Sequence, residues 1–186
     1  MSIRSAAIWA MAAQYAAFAI QFLVSVIISR FFLTPAEVGL FSIALAAALL
    51  ISVLQDFGLN RYIAGSGMLD AAHLRVCSSV AFLFSLAIAG LIAACAWPAA
   101  IFYGDMRLVP LLLIIASSYL LVPFSIVPSA LLTRDMDFRS LFVVNVGGAF
   151  ANGGFALLLA AMGFSAYSLA WAMVAQAAMR AVIAQW

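Results

Sequence analysis

The sequence has no lysine: its eight basic residues are all arginines, set against six acids, for a formal net charge of +2. Charge of either sign is scarce. Only 8% of the 186 residues are charged, 69% are hydrophobic, and mean hydropathy is +1.25. An ordinary soluble domain is about 25% charged and about 45–50% apolar, so this balance excludes a soluble fold. Cations this few and this dispersed also exclude nucleic acid as a partner, which needs a clustered basic patch. Glu37 is the one glutamate and His73 the one histidine. There is no nucleophile elbow, no zinc-ligand spacing and no phosphate-cradling glycine loop followed by lysine. The expectation is therefore a protein that is not an enzyme and that needs no metal or cofactor. Asp56-Phe57-Gly58 spells a kinase magnesium motif, but none of that motif's context surrounds it. Cys77 and Cys95 lie 18 positions apart on one expected helix. That is about 27 Å of helical rise, far beyond disulfide reach, so both read as small buried apolar side chains.

Long continuous apolar runs are what the sequence has instead. One crossing of the hydrocarbon layer takes about 20 apolar residues, whereas barrel strands would alternate over about 10. The expected fold is all-α and integral to the membrane: a single six-helix transmembrane lobe over residues 1–186, with spans at about 8–32, 37–54, 73–100, 108–132, 138–161 and 166–186. The first run is too long for a signal-peptide core and is read as a retained span. Between spans one and two, Thr34 is placed as an N-cap and Pro35 at the first helical position, where its missing N–H costs nothing. Span three exceeds what a membrane requires and is expected to tilt or protrude. The chain stops at Gln185-Trp186 without a cap or polar tail, which reads as a cut.

Arginine placement sets the expected orientation. Arg4, Arg61, Arg75, Arg134, Arg139 and Arg180 fall on the side holding both termini, and only Arg30 and Arg107 fall opposite. That puts both termini in the cytoplasm.

Polar groups inside a span are costly and face the bundle interior or a cavity. Gln14, Gln21, Ser25 and Ser29 share roughly an 80° arc of span one at helical spacing. Interhelical hydrogen bonding and a cavity lining are both open readings of that stripe. Asn145, Gly148 and Asn152 share a face of span five, where the glycines alone would serve close packing and the asparagines point to an interior role. Pro123 and Pro128 kink span four; a static kink is the plainer reading, a moving hinge the alternative. Arg30 lies about 140–160° around from the polar stripe, as a snorkelling arginine would. Asp135 and Arg139 are spaced for an i,i+4 pair in a link of solvated charges.

Several segments then resemble one family in order and spacing. S-R-F-F-L-T-P-A-E-V-G-L-F at 29–41, Q-D-F-G-L-N-R-Y-I at 55–63 and F-Y-G-D at 102–105 are followed by V-P-S-A-L-L-T-R-D-M-D-F-R at 127–139 and G-F-S-A-Y-S-L at 163–169. Together they resemble the polysaccharide flippases of the Wzx type, within the superfamily of the MATE multidrug exporters and the lipid II flippase MurJ. The resemblance implies the N-terminal lobe of a two-lobed transporter, and so a partner in a missing C-terminal lobe or a second copy. It implies a lipid-linked oligosaccharide as cargo, moved across the bacterial inner membrane by alternating access amid membrane lipid. Arg30, Arg61 and Arg134 match or adjoin family arginines and would meet anionic parts of that cargo. The spans hold no interior acid, so ion coupling through a buried carboxylate has no support in this half. Two other readings stand beside it. A MATE-type exporter of small amphipathic cations would predict an acidic cavity, and a non-transporting membrane partner protein would need none.

Overall fold

Hydrocarbon offers a backbone no water to bond with, so a chain this apolar must satisfy its own N–H and C=O groups. The computed structural model describes residues 3–52 and 71–185. Every regular element among them is helical: α1 (Ile3–Phe31), α2 (Pro35–Ser52), α3 (Ala71–Tyr103), α4 (Leu108–Leu121), α5 (Pro123–Arg134), α6 (Phe138–Ala161) and α7 (Tyr167–Ile183). Among the described residues three helices are long and apolar enough to cross a membrane, through Ile8–Phe31, Arg75–Tyr103 and Phe138–Ala161. The pair α4 and α5 passes the same test together but is bent by 44° at its break, and α2 is apolar but shorter. Phe18, Leu83, Trp97, Phe102 and Phe150 stand exposed on the outside. In water that face would be an aggregation hazard; against acyl chains it is the expected one. The protein is a membrane helical bundle.

α6 packs along α1 on one flank and α7 on the other; α7 lies on α4, and α4 on α3, with α2 leaning on α4. The main core joins α2, α3, α4 and α7. Leu108, Leu111 and Ile115 of α4 are fully enclosed there, with Ala44 and Ala48 of α2, Ile92 of α3 and Ala170 of α7. A second core holds Ile28 and Leu33 against Ala156 and Ala172. Alanines at these contacts let the helices approach closely, which stands in for the hydrophobic drive that lipid does not supply. α7 belongs to both cores. α1 and α2 are joined by three residues yet share no extended contact, so they diverge from their corner like the arms of a V.

The corner is built as its sequence suggests, and more fully. Thr34 caps α2 and Pro35 opens it. Glu37 closes the loop: its Oε2 accepts from Thr34 N–H at 2.7 Å and Thr34 Oγ1 at 2.8 Å. This is the reciprocal capping box of Thr-x-x-Glu. Glu37 Oε1 accepts from Ser165 Oγ in the α6–α7 turn, which ties two corners together on one side of the bundle. Close by in sequence to α4, Asp105 and Arg107 pair at 2.7 Å, and the guanidinium holds the Asp105 carboxyl below its ordinary range.

Three expectations need correction. Cys95 is exposed on α3 and only Cys77 is buried: positions 18 apart share a face of a 3.6-residue helix but lie about five turns from each other, and Ala130 of α5 packs on that face at Cys77. Span four is broken rather than kinked: α4 ends at Leu121, Val122 N–H bonds Tyr119 O in an i→i+3 step at 3.2 Å, and Pro123 starts α5. Asp135 lies outside α6, so it cannot pair with Arg139 along one helix. The capping residue is Asp137 instead, which accepts from Ser140 N–H at 3.2 Å and Ser140 Oγ at 2.6 Å.

Asp137 gives a pH test. The Ser140 hydroxyl, and then its N–H, hold the carboxyl below the ordinary range. A carboxyl whose folded pKa is depressed adds stability above its unfolded pKa and loses it as pH falls through the folded one. The thermal midpoint in detergent should therefore drop as pH falls below about 4. Asp137→Asn keeps a capping oxygen but cannot titrate, and should flatten that acid limb; an unchanged limb would assign it to other groups.

Candidate functional site

The V between α1 and α2 is a cleft of about 410 Å³, floored by α6 and α7. Its walls follow from the periodicity of each helix. Gln21, Ser25 and Ser29 are spaced four apart on α1 and stand along one line of it. Ser42 comes from α2, Asn152 from α6 and Gln176 from α7. Apolar side chains, among them Val24, Ile28, Val38, Phe41, Leu45 and Met173, make up the rest of the lining. No carboxylate is among these residues. Ser29 Oγ and Ser42 Oγ donate back to Val26 O and Val38 O, at 3.3 and 2.8 Å. Their lone pairs stay open, and the carboxamides of Gln21, Asn152 and Gln176 bring donors and acceptors together. Such a surface can grip hydroxyls. It carries no means of neutralising a cation.

The backbone of α6 makes the floor possible. A Cβ on Gly153 would stand 2.7 Å from Val24 Cγ2, so the missing side chain is what lets α1 lie against α6 beside Asn152. One turn further, a Cβ on Gly148 would stand 2.8 Å from both Cγ and Nε of Arg180. The Arg180 stem thus lies across α6, on the same face of α7 as Gln176 four residues earlier. Its Nε is buried with no hydrogen-bond partner among the described residues. Nearer the other end of α1, Trp9 meets Phe142 edge-on at 5.4 Å.

The residues singled out from sequence divide accordingly. Gln21, Ser25 and Asn152 are brought together in the cleft. Gln14 is exposed on α1, nearly two turns before Gln21 and outside the lining; Arg30 is exposed at the last turn of α1 and also outside it. Asn145 is half-buried on α6, one turn before Gly148. Arg134 is half-buried in the last turn of α5, away from the cleft. Arg61 lies outside the described residues. Ser42, Gln176 and Arg180 were missed as site residues. The pair Gln176 and Arg180, two polar groups at i,i+4 in an otherwise apolar span, was the available signal. Among the described residues no three His, Cys, Asp or Glu side chains converge as metal ligands would.

The family model described as "Polysaccharide biosynthesis protein" matches residues 27–186. No curated protein and no solved structure matches the chain. The match starts near the end of α1 and takes in the cleft's α2, α6 and α7 walls, and on its extent the chain belongs to the polysaccharide biosynthesis protein family.

Proposed function

We propose that this protein translocates a lipid-linked oligosaccharide, a precursor of surface polysaccharide, across the bacterial inner membrane by alternating access. In this reading α2 and α7 also cross the bilayer, giving six spans with both termini in the cytoplasm. The open V faces a second lobe or a second copy of the chain. No covalent bond of the cargo changes. The observation that carries the reading is the lining: three carboxamides and three hydroxyls, without a carboxylate, in a membrane helical bundle of a polysaccharide biosynthesis family. Sugars present dense hydroxyls that carboxamides match in both directions. Arg180, one turn beyond Gln176, supplies the cation that an anionic linkage or acidic sugar would need. An exporter of amphipathic cations would want acids where these amides stand.

The test uses cells whose surface polysaccharide depends on this protein. Gln21→Leu, Asn152→Leu and Gln176→Leu, combined, should remove surface polysaccharide and leave lipid-linked oligosaccharide on the cytoplasmic face, at unchanged protein level. Wild-type export from the triple variant would overturn the reading. So would a change in susceptibility to cationic drugs with export intact, which would support the exporter alternative.

A further inference from the structure

We infer that α5 is a hinged half-helix that swings about the Val122–Pro123 break against a bundle that stays fixed, opening and closing the α3–α5 face. The two halves of this broken helix differ sharply in how they are held. Seven of the fourteen residues of α4 are buried, running from Leu108 to Tyr119, while α5 buries only Pro123 and Ala130 of its twelve. α4 is the centre of the main core. α5 rests mainly on a separate footing, Ala130 against Cys77 of α3, with Val127 and Leu131 beside them, and touches α6, α7 and α4 more lightly.

Both ends of α5 are also pivots. At one end the helix axes turn by 44°. Pro123 has no N–H to donate to Tyr119 O, and that oxygen takes the i→i+3 bond from Val122 instead. Pro128 leaves a second backbone acceptor within α5 without its ordinary donor. At the other end Met136 sits in the left-handed region at φ 55°, with Asp137 N–H closing back on Leu132 O at 2.9 Å. That closure ends α5 sharply, and the Asp137 cap starts α6 as a separate element. Next to the first pivot is a surface cleft of about 380 Å³ lined by Ser78, Ser79, Phe82 and Leu83 of α3 and by Pro123 and Phe124. Phe124 is half exposed over it and has room to travel. A segment with few buried contacts, bounded by two breaks, opens at less cost than the core beside it. A proline-broken span is a place where membrane helices bend without losing their backbone bonding.

The inference concerns motion and does not depend on the cargo, so it is tested without transport. In protein lacking native thiols (Cys77→Ala, Cys95→Ala), spin labels at Val76→Cys on α3 and Thr133→Cys on α5 are read by pulsed dipolar spectroscopy in nanodiscs. Two distance populations are expected. A control pair, Leu83→Cys with Leu113→Cys on α3 and α4, should give one narrow population. Pro123→Ala restores the missing donor and makes the helix continuous, so it should collapse the α3–α5 distances to a single population while the control stays narrow. A second reading uses the native chain with only Cys95→Ala. Cys77, 6% exposed, should react completely with a membrane-permeant maleimide while the fold persists, at a rate proportional to reagent. One narrow α3–α5 population in the parent, or a Cys77 that stays protected for as long as the bundle is folded, would overturn the hinge. Neither result would bear on what the protein carries.

Discussion

Gly153→Val should detach α1 from α6 and lower stability by about 3 kcal/mol, the upper end for overpacking a tight contact. The added Cβ alone would meet Val24 Cγ2 at 2.7 Å, with Ile20 Cγ2 at 3.7 Å behind it. Val24 is β-branched, and on a helix its χ1 is almost fixed, so it cannot rotate aside. α1 must move instead. Because α1 has little contact with α2, α6 is its principal support, and moving it also opens the Ile28–Leu33–Ala156–Ala172 core. The measurement is the thermal midpoint and monodispersity of purified protein. Two comparisons make it specific. A Cβ on the neighbouring Gly154 meets nothing within 4 Å, so Gly154→Ala should be neutral or stabilising by up to about 1 kcal/mol from helix propensity. Gly153→Ala should destabilise alone and recover when combined with Val24→Ala, a coupling expected only of residues in direct contact. Equal effects at 153 and 154 would mean that glycine flexibility, not close approach, is what the site needs.

The parts of this fold that were legible in the sequence are those fixed by neighbours along the chain. Thr34-Pro35 capping depends on four consecutive residues, and the α1–α2 corner follows the expectation. The boundaries of α6 coincide with the fifth expected span because Asp137 and Gly163, in the left-handed region at φ 84°, mark its ends locally. The stripe Gln21–Ser25–Ser29 was visible because four-residue spacing is a property of one helix. Gln14 shares that arc and still misses the lining, since the arc gives a direction and not how far along α1 the neighbouring helix stays away. Asn152 was found with its glycines. Gln176 was not, because its meaning comes from Asn152 and Gln21 on two other helices. The proline pair announced a bend, yet only the packing distinguishes a buried α4 from a lightly held α5. Arg30, the charge nearest the family-like corner, is outside the cleft, whereas Arg180 was read only as a topological marker.

Arg180→Met should cut export of surface polysaccharide about ten- to hundredfold and leave the protein as stable as before, or more so. Methionine keeps the long flexible stem that fills the space over Gly148 and removes only the charged head. Stability should not fall, because a buried guanidinium nitrogen without a partner is a cost to the folded state. The Nε of Arg180 is such an atom among the described residues. Transport should fall, because the guanidinium is carried one turn beyond Gln176, which lines the cleft, and a hydrogen bond to a charged group contributes about 1.5–3 kcal/mol. Arg180→Lys should recover part of the rate, restoring charge without the planar fork that meets two oxygens at once. Gly148→Ala approaches the same site from the backbone: its Cβ, 2.8 Å from Arg180 Cγ and Nε, should shift the guanidinium and lower export without removing any charge. Export and thermal midpoint, measured on the same preparations, separate the possibilities. If Arg180→Met is destabilised in proportion to its loss of export, the arginine is a packing element of the α6–α7 contact. If export holds in all three variants, the cleft handles its cargo through carboxamides and hydroxyls alone.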